Sequence, residues 1–245
     1  MIPLRDANAT RRQAVVTIAL IAICFAVFLY ELMVQATSGE AGFERLVRDW
    51  GLVPADLTGQ GGTDRSGGPP AILTVFTSMF LHADPLHIGG NMLYLWIFGN
   101  NVEDRLGRPL FLVFYLAGGV IAALAQVAIA PDSTVPVIGA SGAIAAVLGA
   151  YVVLYPRARV QTLVYLGFFY QLIQVPAILI LGLWFAIQVT SAVLSLGDQS
   201  TSGGVALFAH VGGFVAGIIV GFILRGSGDG DGPRLVRPTD RFGVG

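Results

Sequence analysis

A serine and a histidine stand out in a strongly apolar sequence. Ser141 lies in the run Gly-Ala-Ser-Gly at 139–142, and His210 is the one of the three histidines that lies inside a long apolar segment. An ionisable side chain is costly inside a membrane and is a functional candidate for that reason. A histidine that accepts the proton of a serine hydroxyl turns the serine into a nucleophile. Together the two residues could support acyl transfer.

Each residue also has a purely structural interpretation. Small residues such as Ser141 and its neighbours allow two helices to pack closely, without any chemistry. His210 could simply hydrogen-bond a carbonyl group of a neighbouring helix. The catalytic interpretation therefore requires that the two side chains meet, although they are 69 positions apart in the sequence.

A second histidine, His87, is followed four residues later by Asn91. Residues at this spacing lie on one face of a helix, so both side chains can project into the same space. Side-chain donors that converge in a low-dielectric pocket are what an oxyanion hole needs. For Asn91 an interhelical hydrogen bond is the alternative. We expect His82, which precedes this segment, to be an ordinary interfacial residue.

Composition indicates that membrane helices position these residues. Hydrophobic residues make up 55% of the 245-residue chain and charged residues 12%, whereas about 25% charged residues are usual in soluble domains. A membrane-spanning helix needs about 20 mostly apolar residues, and six segments meet or approach that length: 14–34, 86–102, 109–130, 139–155, 171–196 and 204–224. The second and fourth are short and carry polar residues, so we expect them in the interior of the bundle.

The arginines predict the orientation of the chain. The sequence contains no lysine, and 11 of its 14 arginines fall in the two terminal segments and in the loops between spans two and three and spans four and five. Because positive residues favour the cytoplasmic side, we expect a multi-pass protein of the cell membrane with both termini cytoplasmic. Ser141 and His210 then lie near the outer ends of their spans. His210 comes six residues after Gly204, or about 9 Å along a helix.

Glycines at four-residue spacing indicate how the two spans approach each other. Gly213, Gly217 and Gly221 form a smooth stripe after His210, which allows a partner helix to come close. The fourth span has its own small face in Gly142, Ala145 and Gly149, and is the natural partner.

The sequence also predicts how the chain is divided. Residues 1–13 are expected to form a cytoplasmic tail, residues 14–225 the membrane domain, and residues 226–245 a disordered cytoplasmic tail rich in Gly, Pro, Asp and Arg. The first span is read as an uncleaved anchor, because its apolar stretch exceeds a signal-peptide core. A long outer loop joins the first two spans over 35–85, and its Gly-rich middle, 58–70, is expected to be mobile.

Other classes of function have little support. A net charge of -1 provides no footprint for nucleic acid, and the single cysteine, Cys24, excludes a disulfide framework or a thiolate cluster. All 15 carboxylates fall in tails, loops or the ends of spans, and none is expected beneath His210. The sequence therefore favours a Ser-His dyad over a triad, with no metal and no cofactor, and leaves the oligomeric state open.

Taken together, the motifs resemble those of the rhomboid proteases over roughly residues 10–225. The resemblance rests on Gly-x-Ser-Gly at 139–142, His-x-x-x-Asn at 87–91, Ala-His-x-x-Gly at 209–213 and the run Phe-Gly-Asn-Asn-Val-Glu-Asp-Arg-Leu-Gly at 98–107. It implies an all-α bundle of six transmembrane helices with a long outer loop between the first two. The implied activity is a serine endopeptidase that cleaves transmembrane segments of membrane proteins in the lipid bilayer, with the fifth span as a lateral gate.

The resemblance also implies roles for individual residues. Ser141 would be the nucleophile and His210 the general base, while His87, Asn91 and the Ser141 backbone N–H would form the oxyanion hole. One position departs from the family pattern: many bacterial members have a tyrosine four residues after the serine, stacked on the histidine, and this chain has an alanine there, at position 145. The substitutes considered for holding the histidine are Phe208, Phe214 and Tyr151.

Three alternatives belong to other classes. A non-catalytic rhomboid-like protein that escorts membrane clients would lack the Ser-His pair. A transporter with broken helices would show two similar halves, and no repeated pattern relates the first three spans to the last three. A zinc site formed by His82, His87 and His210 would lack an acidic residue as a further ligand or base.

Overall fold

The protein is mostly helical, and its computed structural model describes residues 2–61, 68–167, 169–195 and 207–226. The helices are α1 (Val15–Trp50), α2 (Pro54–Leu57), α3 (Ala71–Thr77), α4 (Pro85–Tyr94), α5 (Asn100–Leu106), α6 (Arg108–Ile129), α7 (Ser141–Leu154), α8 (Ala177–Ser195) and α9 (Leu207–Gly226). A 3-10 turn, Ser78–Phe80, follows α3, and a π-helical stretch, Leu95–Gly99, joins α4 to α5. The strands are β1 (Ile2–Asp6), β2 (Arg159–Leu166) and β3 (Phe169–Pro176).

Length and apolar composition identify three of the described helices, α1, α6 and α9, as able to cross a membrane. A fourth candidate is the pair Ala71–Phe80 and Pro85–Leu106, which is bent by 82°. The expected count of six spans is therefore not confirmed. The reason is clear for α7, whose 14 residues extend about 21 Å at 1.5 Å per residue, less than the roughly 30 Å of a bilayer core.

The short helix α7 lies in the centre of the bundle, as expected of a span that carries small and polar residues. Every residue from Ala143 to Tyr151 is buried. Its most extensive contact is with α9, where a Cβ at Gly217 would overlap the carbonyl group of Ala146 and one at Gly149 would overlap the carbonyl group of Phe214. The predicted close approach of these two small-residue faces is confirmed.

A three-stranded antiparallel sheet corrects the all-α prediction. The strand order is β1-β2-β3, with Ile2 opposite Leu163 and Tyr165 opposite Tyr170. The segment expected as a tail at 1–13 thus carries a strand, and β3 occupies 171–176, where the fifth span was expected to begin. Alternating β-branched and aromatic residues favour strands in this region, but they merge with the apolar α8 when hydropathy alone is read.

Two carboxylates fasten the N-terminal segment to the bundle. Glu103 is buried and accepts hydrogen bonds from the backbone N–H groups of Val16 (3.0 Å) and Thr17 (2.7 Å), so it caps the start of α1. Asp104 accepts the N–H groups of Arg11 and Arg12, both at 3.0 Å.

The helix α1 extends 16 residues beyond the predicted end of the first span and bends at a glycine, position 39, whose φ is +68°. The central part of the predicted mobile loop, 62–67, and the predicted disordered tail after 226 lie outside the described residues.

Candidate active site

Ser141 is the first residue of α7, and position 139, in the turn before it, has room only for glycine. Gly139 has a φ of +121°, and its N–H donates to the carbonyl of Ser78 at 2.8 Å. A Cβ at this position would lie 2.7 Å from Nε2 of His87 and 3.6 Å from Oγ of Ser141. Both the dihedral angle and the contact therefore select glycine. The turn places the serine hydroxyl and the His87 imidazole around one point.

His210 lies in the first turn of α9, and its Nε2 is 2.6 Å from Oγ of Ser141. The neighbouring glycine at 213 makes this approach possible, since a Cβ there would overlap the carbonyl group of Gly142 and lie 3.3 Å from the Cβ of Ala145. The structure thus brings together the serine and histidine that the sequence places 69 positions apart.

His87 and Asn91 lie one turn apart on α4, whose N-terminus is fixed by Asp84. The Asp84 carboxylate accepts the N–H groups of Leu86 (2.8 Å) and His87 (3.0 Å), as an N-cap residue does. Asn91 is 9% exposed, and its side-chain nitrogen has no hydrogen-bond partner among the described residues. A buried amide donor without a partner costs about 1 to 3 kcal/mol.

An aromatic side chain that the sequence analysis missed lies against the histidine. The ring centroid of Trp184, on α8, is 5.9 Å from that of His210 and 6.1 Å from that of Phe214. Of the three expected substitutes for the missing tyrosine, Phe214 packs on Trp184. No sequence spacing indicates Trp184, because the contact depends on how α8 is rotated against α9.

The other two expected substitutes differ from this arrangement. Tyr151 lies three turns further along α7 from Ser141, and its hydroxyl donates to the carboxylate of Asp6 at 2.9 Å. Its ring packs on Phe98 at 4.8 Å and on Tyr155 at 5.0 Å. Phe208 is half-buried in the first turn of α9.

His82 is fully buried, so the expectation of an ordinary interfacial residue is wrong. Its backbone N–H donates to both carboxylate oxygens of Glu31, at 3.1 and 3.2 Å, and its ring packs edge-on against that of His87, 5.2 Å between centroids. The reason is the buried carboxylate of Glu31 on α1, which lies 51 residues earlier and draws the loop inward. A contact over this separation leaves no local pattern in the sequence.

The described residues include three buried carboxylates, and each of them hydrogen-bonds groups other than the His210 imidazole. Glu31 accepts the backbone N–H of His82, and Glu103 caps α1. Asp6 accepts hydrogen bonds from Asn101 at 2.6 Å and from Tyr151 at 2.9 Å, and burial raises the pKa of its carboxyl to about 6. In the described ranges, no group of three His, Cys, Asp or Glu residues is placed to hold a metal ion.

A small cavity of about 30 Å³ lies beside Ser141. Ser141, Gly142 and Gly139 line one side of it, and Ser78 and Met79 line another. A space of this size holds one water molecule.

The protein is a bundle of apolar helices with a hydrogen-bonded serine and histidine in its interior. These two features are those of a membrane-embedded protein with a Ser-His pair. The Rhomboid domain model matches residues 69–227, which is more than half of the chain. The chain belongs to the rhomboid family, whose members are known as intramembrane serine proteases.

Individual relatives agree with this assignment. The chain is similar to Rhomboid protein 1, mitochondrial, of Saccharomyces cerevisiae, with 28% identity over 178 residues, which cover 69% of this chain and 47% of that protein. It is 36% identical over 156 residues to RHOMBOID-like protein 12, mitochondrial, of Arabidopsis thaliana, covering 57% and 43%. It is 31% identical over 153 residues to Rhomboid protease GluP of Bacillus subtilis, covering 62% and 27%. The chain spans less than half the length of each of these relatives.

The names of the relatives also correct the expected location. The cell membrane, with cytoplasmic termini, was predicted, but the yeast and Arabidopsis relatives and a further one from Danio rerio are named as mitochondrial. The physical reason is that the arginine bias reports which side of a bilayer each loop occupies. It does not report which bilayer that is. The side of the bilayer on which 11 of the 14 arginines are expected is the arginine-rich side.

Proposed function

We propose that the chain is an intramembrane serine endopeptidase that cleaves transmembrane segments of membrane proteins through an acyl-enzyme intermediate. The observation that carries the proposal is the 2.6 Å contact between Nε2 of His210 and Oγ of Ser141, in a chain of a family of intramembrane serine proteases. This distance is within the range for transfer of the hydroxyl proton to the imidazole.

In the first half of the reaction, His210 takes the proton of Ser141 while the serine oxygen attacks a peptide carbonyl. The negative charge that develops on the carbonyl oxygen is stabilised by the side chains of His87 and Asn91 and by the backbone N–H of Ser141. The unpartnered amide nitrogen of Asn91 supports this role, because a donor without a ground-state partner gains its hydrogen bond only as the reaction proceeds.

In the second half, His210 returns the proton to the leaving amine, and a water molecule then attacks the acyl-enzyme. His210 activates that water in turn, and Ser141 is released as the free hydroxyl. The cavity beside Ser141, large enough for one water molecule, supports a supply of water at this point in the bundle.

Neighbouring side chains would keep the imidazoles of His210 and His87 in position. Trp184 of α8 lies against His210 and would replace the tyrosine that position 145 lacks, so that the histidine is held from the neighbouring helix. Glu31 holds the loop of His82, whose ring packs on His87 and limits its rotation. Since α8 is also the expected lateral gate, its position would affect the orientation of the general base.

The proposed substrates are transmembrane proteins, and the proposed place of action is a mitochondrial membrane. The names of the yeast, Arabidopsis and Danio rerio relatives support this location. The name of GluP supports protease activity.

The test uses the full-length purified chain in detergent with a single-pass transmembrane substrate that carries a fluorescent label at each end. We expect cleavage by the wild type and none by Ser141→Ala or His210→Ala, both of which should remain folded. Ser133→Ala, in the loop before α7, is the matched control and should cleave normally. Cleavage that persists in purified Ser141→Ala would overturn the proposal.

A further inference from the structure

The outward face of the three-stranded sheet is apolar at one end and basic at the other. Every second residue of β2 lies on the same face of the sheet as its partner on β3. Arg159 is at the end of this face next to α8, because it pairs with Pro176. The members of the face are Arg159, Gln161, Leu163, Tyr165, Tyr170, Leu172, Gln174 and Pro176, with Ile2 and Arg5 of β1 opposite Leu163 and Gln161.

The opposite face of the sheet packs on the bundle. Val160 is fully buried, Thr162 is 2% exposed and Asp6 is 9% exposed. Asp6 hydrogen-bonds Tyr151 of α7 and Asn101 of α5. The sheet is therefore fixed to the protein by one side, and the other side is left without a protein partner in the described chain.

Large apolar side chains occupy the end of the outward face that is far from α8. Tyr165 is 70% exposed and Tyr170 is 78% exposed, and they lie opposite each other on neighbouring strands. Leu172 (52%) and Ile2 (51%) extend this patch. A contiguous apolar patch of this kind marks an interaction surface, and tyrosine is enriched where a membrane meets water.

The charges on the outward face, and the direct connection of β3 to α8, favour one kind of binding partner. Arg5 and Arg159 lie on the same face, and the sole carboxylate of the three strands, Asp6, is on the buried face. The strand β3 ends at Pro176 and the apolar helix α8 begins at the next residue, so the sheet is continuous with an apolar helix. Arginines close to a bilayer surface are attracted to anionic lipids.

We infer that the outward face of the sheet is a lipid-binding surface that lies in the headgroup region of an anionic bilayer on the arginine-rich side. The tyrosines and Leu172 contact the boundary of the acyl chains, and Arg5 and Arg159 bind phosphate groups of the lipids. The surface lies apart from Ser141 and His210, and its existence does not depend on the proposed protease activity.

The experiment measures the depth of a spin label at position 170. Tyr170→Cys is labelled in the full-length protein, since Cys24 is buried, and reconstituted into vesicles of phosphatidylcholine with phosphatidylglycerol. Collisions with oxygen, which concentrates in lipid, are compared with collisions with a water-soluble nickel complex. Val113→Cys, on the exposed face of α6, is the lipid reference, and Thr134→Cys, in an exposed loop, is the water reference.

We expect the shielding of the label at 170 from nickel to be closer to that of the Val113 reference than to that of the Thr134 reference. In vesicles of phosphatidylcholine alone, the label at 170 should lose part of this shielding. The double variant Arg5→Gln, Arg159→Gln should remove the difference between the two lipid mixtures. A label as accessible to nickel as the Thr134 reference would overturn the inference and favour a soluble protein partner for this face. Equal shielding in both mixtures would overturn the selection of anionic lipid.

Discussion

Replacing Asn91 with alanine separates a catalytic amide from a structural one. In the resting protein the amide nitrogen is buried without a partner, so Asn91→Ala removes no hydrogen bond of that group and relieves an unsatisfied donor worth about 1 to 3 kcal/mol. If the amide stabilises the oxyanion, its loss should lower kcat by about 10²- to 10³-fold, or roughly 2.7 to 4 kcal/mol, with little change in KM.

The matched control is Asn101, a second buried asparagine whose amide does have a partner. Its nitrogen donates to the Asp6 carboxylate at 2.6 Å, so Asn101→Ala leaves a buried carboxylate with one donor fewer. We expect a lower Tm and nearly normal kcat for this variant, the opposite of the pattern for Asn91→Ala.

The assay is a measurement of kcat, KM and Tm for both variants on one labelled transmembrane substrate. Turnover near that of the wild type in Asn91→Ala would refute its role at the oxyanion. A fall in Tm without a fall in kcat would instead make Asn91 an interhelical contact, which is typically worth about 0.6 kcal/mol in membranes.

Further predictions concern the histidine, the sheet and metals. Trp184→Ala should lower kcat by up to about 10²-fold, because a displaced reacting group can cost that much, and Trp184→Phe should keep most of the wild-type kcat. Phe185→Ala, which removes a ring stacked on Phe214, should keep the wild-type kcat. Equal losses in both alanine variants would argue against positioning. Because burial raises the pKa of Asp6 from 3.8 to about 6, the folded protein binds the proton more tightly, so this group stabilises the fold below about pH 4 and its contribution is lost as the pH rises through about 6. Thermal melts should show that Asp6→Asn lacks this pH dependence. Activity should survive prolonged treatment with EDTA or phenanthroline, and loss on chelation that zinc restores would favour a metal site.

The pairing of Ser141 with His210 was predictable because its causes are local. Small residues at three- and four-residue spacing specify a close approach of the two helices, and the arginine bias gives both spans the same direction. An ionisable side chain in an apolar span adds an independent signal. These patterns require no knowledge of the remaining contacts.

The features that were missed depend on contacts that are distant in sequence. β1 pairs with β2 across more than 150 positions, and β3 continues directly into the apolar α8, so a hydropathy window reads both as one span. His82 is buried by a carboxylate 51 residues away. Trp184 reaches the histidine because of the rotation of α8, which the nearly uniform apolar surface of that helix does not encode.

The most direct test of the central claim is labelling of the full-length protein in membranes by a fluorophosphonate probe, followed by mass spectrometry of the modified peptide. A serine activated by the neighbouring imidazole should carry the adduct at Ser141, and the adduct should be absent in His210→Ala, because an unassisted hydroxyl is a poor nucleophile. Labelling that is unchanged in Ser141→Ala, or wild-type protein that cleaves its substrate but never carries the adduct at Ser141, would contradict the account.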